Sequence, residues 1–77
     1  MATGFVLDIG VKLENGATVI DVERDRSGRV YVAADRGACG LHQFATWGCD
    51  SQGNCFWGHY FDTRSEALAD LVKRAGR

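Results

Sequence analysis

Residues 47–76, WGCDSQGNCFWGHYFDTRSEALADLVKRAG, set two aromatic-rich segments around a polar loop and follow them with a helical pattern. DSQGN at 50–54 spells a type I turn followed by a glycine in the left-handed region, the three-residue hairpin loop with a bulge. With Ser51, Gln52 and Gly53 as that loop, Cys49 faces Cys55, Trp47 faces Trp57, Ala45 faces His59 and Gln43 faces Phe61. On the reverse side Phe44 faces Tyr60, and Thr46 faces Gly58. Strands are therefore expected over roughly 41–49 and 55–61, and a helix over 63–75. Thr63 and Glu66 make its capping box. Ala67, Leu68, Leu71, Val72 and Ala75 form its apolar stripe. Lys73, Arg74 and Arg77 complement the negative end of the helix dipole, and Gly76 ends it.

Working back along the chain, DRSGR at 25–29 repeats the same turn chemistry. A three-residue loop there pairs Val22 with Val32 and Ile20 with Ala34, apolar against apolar. At the start, Phe5, Leu7, Ile9, Val11 and Leu13 alternate with Asp8, Gly10 and Lys12, the period of a half-buried strand. Asn15-Gly16 follows, the strongest short hairpin signal, because both positions of a type I′ turn need positive φ. A two-residue loop pairs Leu13 with Thr18, Val11 with Ile20 and Ile9 with Val22. Residues 35–40 are a glycine-rich connection. The expectation is an α+β single domain over 1–77, an antiparallel five-stranded meander within about 5–61 with one C-terminal helix on one face. The first strand's apolar face and the helix stripe are expected to make the core.

Composition narrows the function classes. A chain of 77 residues buries only about 60% of its unfolded surface, so it needs a compact core, a crosslink or a partner. At 45% apolar and 25% charged residues it is globular in composition rather than disordered. A net charge of −1, from nine basic and ten acidic residues, supplies no global field for nucleic acid or anionic lipid. No apolar run approaches the ~20 residues of a membrane span, and the first residues lack the basic start of a signal peptide. These features point to the cytoplasm, where a permanent disulfide is disfavoured. Three cysteines also leave one over in any paired scheme.

The hairpin at 41–61 is aromatic on both faces, and one helix covers only one of them. Either Trp47, Trp57 and Phe61 or Phe44, Phe56 and Tyr60 must stay outside. Cross-strand aromatic pairs stabilise a sheet by themselves. An outward cluster of Trp and Tyr is also the composition of interface hot spots. Trp47, Trp57, Phe44, Phe56 and Tyr60 are accordingly the candidate binding residues, for a foreign protein or for a second copy of the chain. Asp8, Asp21 and Glu23 add an acidic strip on the solvent face of the first two strands, with Asp8 opposite Glu23. That strip reads as a solvated face or as a surface for a basic groove. Arg24, Arg26, Arg29 and Arg36 gather near loops at the other end, leaving the surface charge polarised.

Two other chemistries compete. A metal or redox module would draw on Cys39, Cys49, Cys55 and either His42 or His59. The cysteine gaps of nine and five residues contain no Cys-x-x-Cys, the usual zinc signature. Cys55 and His59, on one face of a strand, lie about 13 Å apart, beyond the reach a nucleophile–base pair requires. A nucleic-acid module would use the Arg loops and aromatics, but no Gly-rich phosphate loop, RNP-like motif or basic helix accompanies them. The sequence is read as a non-enzymatic protein without a cofactor.

The segment from Ala45 to Gly76, about two-fifths of the chain, resembles the closing strand–turn–strand–helix of small orphan proteins of phages, prophages and other mobile elements. Gly58-His59-Tyr60-Phe61, the Thr63-to-Glu66 cap and the Ala-rich helix carry the likeness. In size and build the chain is similar to the anti-CRISPR proteins. That resemblance implies a protein that blocks a bacterial defence complex, such as a type I (Cascade-type) surveillance complex, by steric binding. It transfers no active residues.

Overall fold

Runs rich in β-branched and aromatic residues become strands. In the computed structural model, which describes residues 8–13, 16–37, 42–50 and 54–76, they form one antiparallel sheet. Its strands are β1 (Thr18–Arg24), β2 (Val30–Asp35), β3 (Phe44–Cys49) and β4 (Cys55–Phe61), in spatial order β1-β2-β3-β4, followed by helix α1 (Arg64–Arg74).

The β1–β2 loop has the expected form. Gly28, at φ 88°, donates its N–H to Asp25 O, and Asp25 donates its own to Arg29 O. The Asp25 carboxylate accepts from the Ser27 hydroxyl at 2.6 Å and from the Ser27 and Arg29 N–H groups. Val22 consequently sits opposite Val32. The second loop is closed by Asp50 N–H donating to Asn54 O, with Cys49 opposite Cys55. Its residues 51–53 lie outside the described ones, as do Phe5, Leu7, Asn15, Cys39 and Arg77.

Among the described residues the sheet has four strands, not five. The reason is Gly10, which adopts φ 93° inside a turn where Val11 N–H donates to Asp8 O. A turn residue with positive φ cannot continue a strand, and Ile9 is left 64% exposed instead of facing the core. Among the described residues the expected first hairpin is reduced to an isolated bridge, Lys12 to Thr18, with backbone hydrogen bonds from Gly10 N–H to Val19 O and from Val19 N–H to Val11 O beside it. Its register also moves by one residue. Leu13 N–H donates to Ala17 O rather than pairing with Thr18, and three positions separate the two, with Gly16 at φ 90°. Asp8 therefore has no place opposite Glu23.

Two bulges correct the remaining registers. At Ile20 the chain takes an extra residue, so Val19 faces Ala34 and Asp21 faces Ala33. The insertion lets Val19 and Val22, three positions apart, share one face. At Trp57 a second extra residue leaves Gly48 opposite Phe56 but moves Thr46 opposite His59, Ala45 opposite Tyr60 and Phe44 opposite Phe61. The expected pairings of Trp47 with Trp57, Ala45 with His59, Gln43 with Phe61 and Phe44 with Tyr60 all shift accordingly.

The sheet is apolar on one face and mixed on the other. Leu13, Ala17, Val19, Val32, Ala34, Ala45, Trp47 and Cys49 form one buried cluster, with Val11, Val22, Val30 and Cys55 packed against it. Helix α1 lies on the opposite face, where Asp70 and Arg74 reach Thr46. The first segment and the helix thus build two layers on either side of the sheet rather than one shared core. Along α1 and its C-cap, Ala67, Leu71 and Ala75 are buried, Leu68 is half-buried and Val72 is exposed, so the buried stripe is narrower than its apolar pattern. Thr63 caps it, accepting from Glu66 N–H at 3.2 Å and donating to Glu66 Oε1 at 3.0 Å. Gly76, at φ 77°, turns the chain off its end.

Candidate functional site

The bulge at Trp57 decides which rings meet solvent. Trp57 adopts φ 57°, a left-handed backbone that a bulky residue rarely takes. The residue is 62% exposed, and its ring meets the Phe56 ring edge-on, centroids 4.8 Å apart. The Arg29 guanidinium lies 5.0 Å from the Trp57 centroid and 5.9 Å from that of Phe56. Such a cation over a ring is worth about 0.5–1 kcal/mol at an exposed site.

The strip continues across the sheet through Gly48. A Cβ at Gly48 would sit 3.1 Å from Phe56 Cε2 and 3.6 Å from Tyr31 Cε1, so the bare backbone there lets both rings lie over β3. Tyr31 donates its hydroxyl to Asp25 Oδ2 at 3.2 Å, and the Arg74 guanidinium lies 5.5 Å from its ring centroid. Trp57, Phe56 and Tyr31 therefore form a run of rings flanked by the Arg29 and Arg74 guanidiniums at the end of the sheet beside the helix C-terminus. Next to them Asp25, Arg26, Ser27, Arg74, Ala75 and Gly76 line an open groove of about 430 Å³. The Asp25 carboxyl, in this groove, is held below the usual carboxylate range by the Ser27 hydroxyl first, then by Arg29 N–H and Tyr31.

The other expected site residues are scattered by this arrangement. Trp47 is 6% exposed, inside the apolar cluster, and offers nothing to a partner. Tyr60, 47% exposed, sits on the Trp47 face, meeting Trp47 edge-on with Arg36 4.9 Å from its centroid. Phe44 and Phe56 are half-buried on the helix face. Asp21 and Glu23 are half-buried on that face of β1, while Asp8 is exposed in the turn before Val11. The three do not form one strip. The arginines divide as well. Arg24, Arg26 and Arg29 flank the β1–β2 loop, whereas Arg36 follows the far end of six-residue β2, about 20 Å along the strand.

Cys55 and His59 also part. Cys55 packs on the apolar cluster, while His59 turns to the helix and meets Asp70 Oδ2 through Nδ1 at 2.9 Å. His42 makes a second exposed His–carboxylate pair, with Asp62 at 2.8 Å. Among the described residues no three of His, Cys, Asp and Glu converge as metal ligands. Tyr31 and Arg74 carried no functional reading in the sequence. Arg74 reads there as a dipole-complementing residue, and only the packing of α1 across β2 brings it over Tyr31.

No helix among the described residues is long and apolar enough to cross a membrane. No protein-family model, curated protein or solved structure matches the chain.

Proposed function

We propose that this chain is a non-enzymatic, cytoplasmic protein-binding inhibitor of the kind mobile elements carry, blocking a type I CRISPR surveillance complex by steric occlusion. Its contact surface is the ladder of Arg29, Trp57, Phe56, Tyr31 and Arg74. One observation carries the choice of surface: a tryptophan held at φ 57° with 62% of its surface in solvent. Local strain of this kind costs about 1–3 kcal/mol and persists where the surrounding structure enforces it, characteristically at functional positions. Trp, Tyr and Arg are also the residues that dominate protein interfaces. The named target rests on the resemblance in size and build.

The test is a pull-down of a purified Cascade-type complex with the wild-type chain and with Trp57→Gly, paired with phage plaque counts on a defended host. Binding and phage protection by wild type, both lost in the variant, support the reading. A wild-type chain that neither binds nor protects ends it.

A second reading draws on the groove beside the ladder. A run of rings flanked by guanidiniums, with Trp57 exposed and Arg24 and Arg26 nearby, also suits stacked bases and a phosphate backbone of single-stranded nucleic acid. Affinity for an oligonucleotide falling steeply with salt would favour it. No binding at low salt removes it.

A further inference from the structure

The ladder leaves one reactive pair unused. Cys49 and Cys55 stand opposite each other in the last register of the β3–β4 hairpin, their Sγ atoms 3.5 Å apart as separate thiols. Because Asp50 and Asn54 form the neighbouring hydrogen-bonded pair, the cysteines occupy a non-hydrogen-bonded pair, where Cα atoms approach to about 4.5 Å. Disulfides bridge Cα separations of about 4.4–6.8 Å. The spacing usual for such a pair falls within the range that a disulfide spans.

We propose that Cys49 and Cys55 are a reversible dithiol site that reacts with low-molecular-weight disulfides of the glutathione type and closes to a cross-strand disulfide. The two thiols have different roles because their surroundings differ. Cys55 is half-buried and reachable, whereas Cys49 is enclosed at 3% exposure. Cys55, as thiolate, attacks one sulfur of the incoming disulfide RSSR. The RS–SR bond breaks, a Cys55–SR bond forms, and the first RS⁻ leaves to take up the proton that Cys55 released. Cys49 then loses its proton and attacks Cys55 Sγ, expelling the second RS⁻, which takes up that proton. Two thiols are oxidised by two electrons and one RSSR is reduced to two RSH.

The environment also sets the order of rates. Burial pushes the Cys49 thiol up to about 12, helped by its contact with Cys55, so closure is slower than entry and a mixed disulfide on Cys55 precedes it. The bond would not be a staple. Asp50 and Asn54 already pin this loop through N–H to O at 3.1 Å, Asn54 N–H to Oδ1 at 3.0 Å and Nδ2 to Oδ2 at 3.0 Å. Crosslinking a loop so short removes little further chain entropy. Oxidation and reduction can therefore exchange without a change of fold. This inference is independent of the ring ladder, and either can fail alone.

The experiment titrates the reduced chain with oxidised and reduced glutathione, quenches with acid, alkylates the remaining thiols and maps them by mass spectrometry after chymotryptic cleavage. It is repeated on a Cys39→Ser background. Expected are loss of both the Cys49 and Cys55 thiols, a transient glutathione adduct on Cys55, and recovery of both thiols with dithiothreitol. Cys49→Ala should hold the adduct on Cys55 without closure, and Cys55→Ala should form neither adduct nor crosslink. Cys49→Ser serves where the alanine variant loses its circular dichroism spectrum. The proposal is overturned by a persistent adduct on wild-type Cys55, by first modification at Cys49, or by a crosslink to Cys39. Thiols that stay reduced in the folded chain, yet oxidise in urea, overturn it as well.

Discussion

The Thr46 hydroxyl donates to Asp70 Oδ2 at 2.6 Å, and this contact ties the middle of the sheet to the helix. Thr46 is fully buried, so its hydroxyl would cost about 1–3 kcal/mol if left without a partner. It is used twice over. Arg74 Nη1 donates to Thr46 O and to Oγ1, both at 3.2 Å, so residues one helical turn apart grip the same threonine. Asp70 also accepts from or pairs with His59 at 2.9 Å. The interface is therefore fixed in rotation as well as in contact area, and Arg74 is held where it covers Tyr31.

Thr46→Val keeps the shape and removes both hydrogen-bonding roles. Asp70 retains His59 and some solvent, which limits the loss to about 1–2 kcal/mol. Urea denaturation should show a lower midpoint with an unchanged slope, and Thr46→Ser should recover most of the difference. A valine variant as stable as wild type would show that the helix docks by apolar contact alone.

Acid should loosen the same joint. Burial pushes the Asp70 carboxyl up, but the Thr46 hydroxyl, His59 and Arg74 together outweigh it and hold the group below its ordinary 3.8. A folded pKa below the unfolded one contributes stability that is complete above that ordinary value and is lost as pH falls through the folded one. Asp35, lowered by Gly37 N–H and then Gln43, acts in the same window, as does Asp25. Stability should therefore decline below about pH 4. Asp70→Asn should give a shallower decline without abolishing it. Equal acid slopes for the two proteins, measured by chemical denaturation at stepped pH, would remove Asp70 from this account.

What the sequence made legible is local chemistry. The Asp25–Arg29 loop, the facing of Cys49 and Cys55, and the Thr63 cap each depend on a handful of adjacent residues. Gly10 carried a readable signal too, since a lone glycine in an alternating run marks a turn or bulge, but the apolar alternation around it pointed the other way. The Trp57 bulge had a signal of the same kind in Gly58, a lone glycine within the strand, but it pointed to the neighbouring residue. One inserted residue exchanged the faces of everything on one side of it, so Cys55 and His59 separated and the aromatic sets were resorted. Gly58, beside it, is the residue that local rules would place at positive φ. Trp57 takes that conformation instead, while Gly58 is needed bare against Trp47.

That need gives a third prediction. A Cβ at Gly58 would lie 2.7 Å from Trp47 Nε1, 3.0 Å from Trp47 Cδ1 and 2.8 Å from the Tyr60 hydroxyl. Tyr60 can swing outward, but Trp47 is enclosed and cannot. Gly58→Ala should cost about 1–3 kcal/mol, the usual range for overpacking, and lower the melting temperature by roughly 4–24 °C for a domain this small. Gly28→Ala is the comparison. It meets open space and carries only the positive-φ cost, about 1–2 kcal/mol. A Gly58→Ala protein melting with wild type would mean that Trp47 is free to move.

Trp57 separates stability from binding. Replacing it with glycine removes the left-handed strain, worth about 1–2 kcal/mol. The same change gives up the edge contact with Phe56, about 0.5–1.5 kcal/mol, and the Arg29 contact, about 0.5–1 kcal/mol. These oppose each other, so Trp57→Gly should fold with a stability within about 1 kcal/mol of wild type. Trp57→Ala loses the same contacts and keeps the strain, so it should be the less stable of the two by about 1 kcal/mol. Both remove the exposed ring, and both should abolish capture of the surveillance complex to the same degree. Equal melting temperatures for the alanine and glycine variants would show that the φ 57° backbone at this position carries no strain. Undiminished capture by both would show that the partner, whatever its affinity, does not dock on the ring.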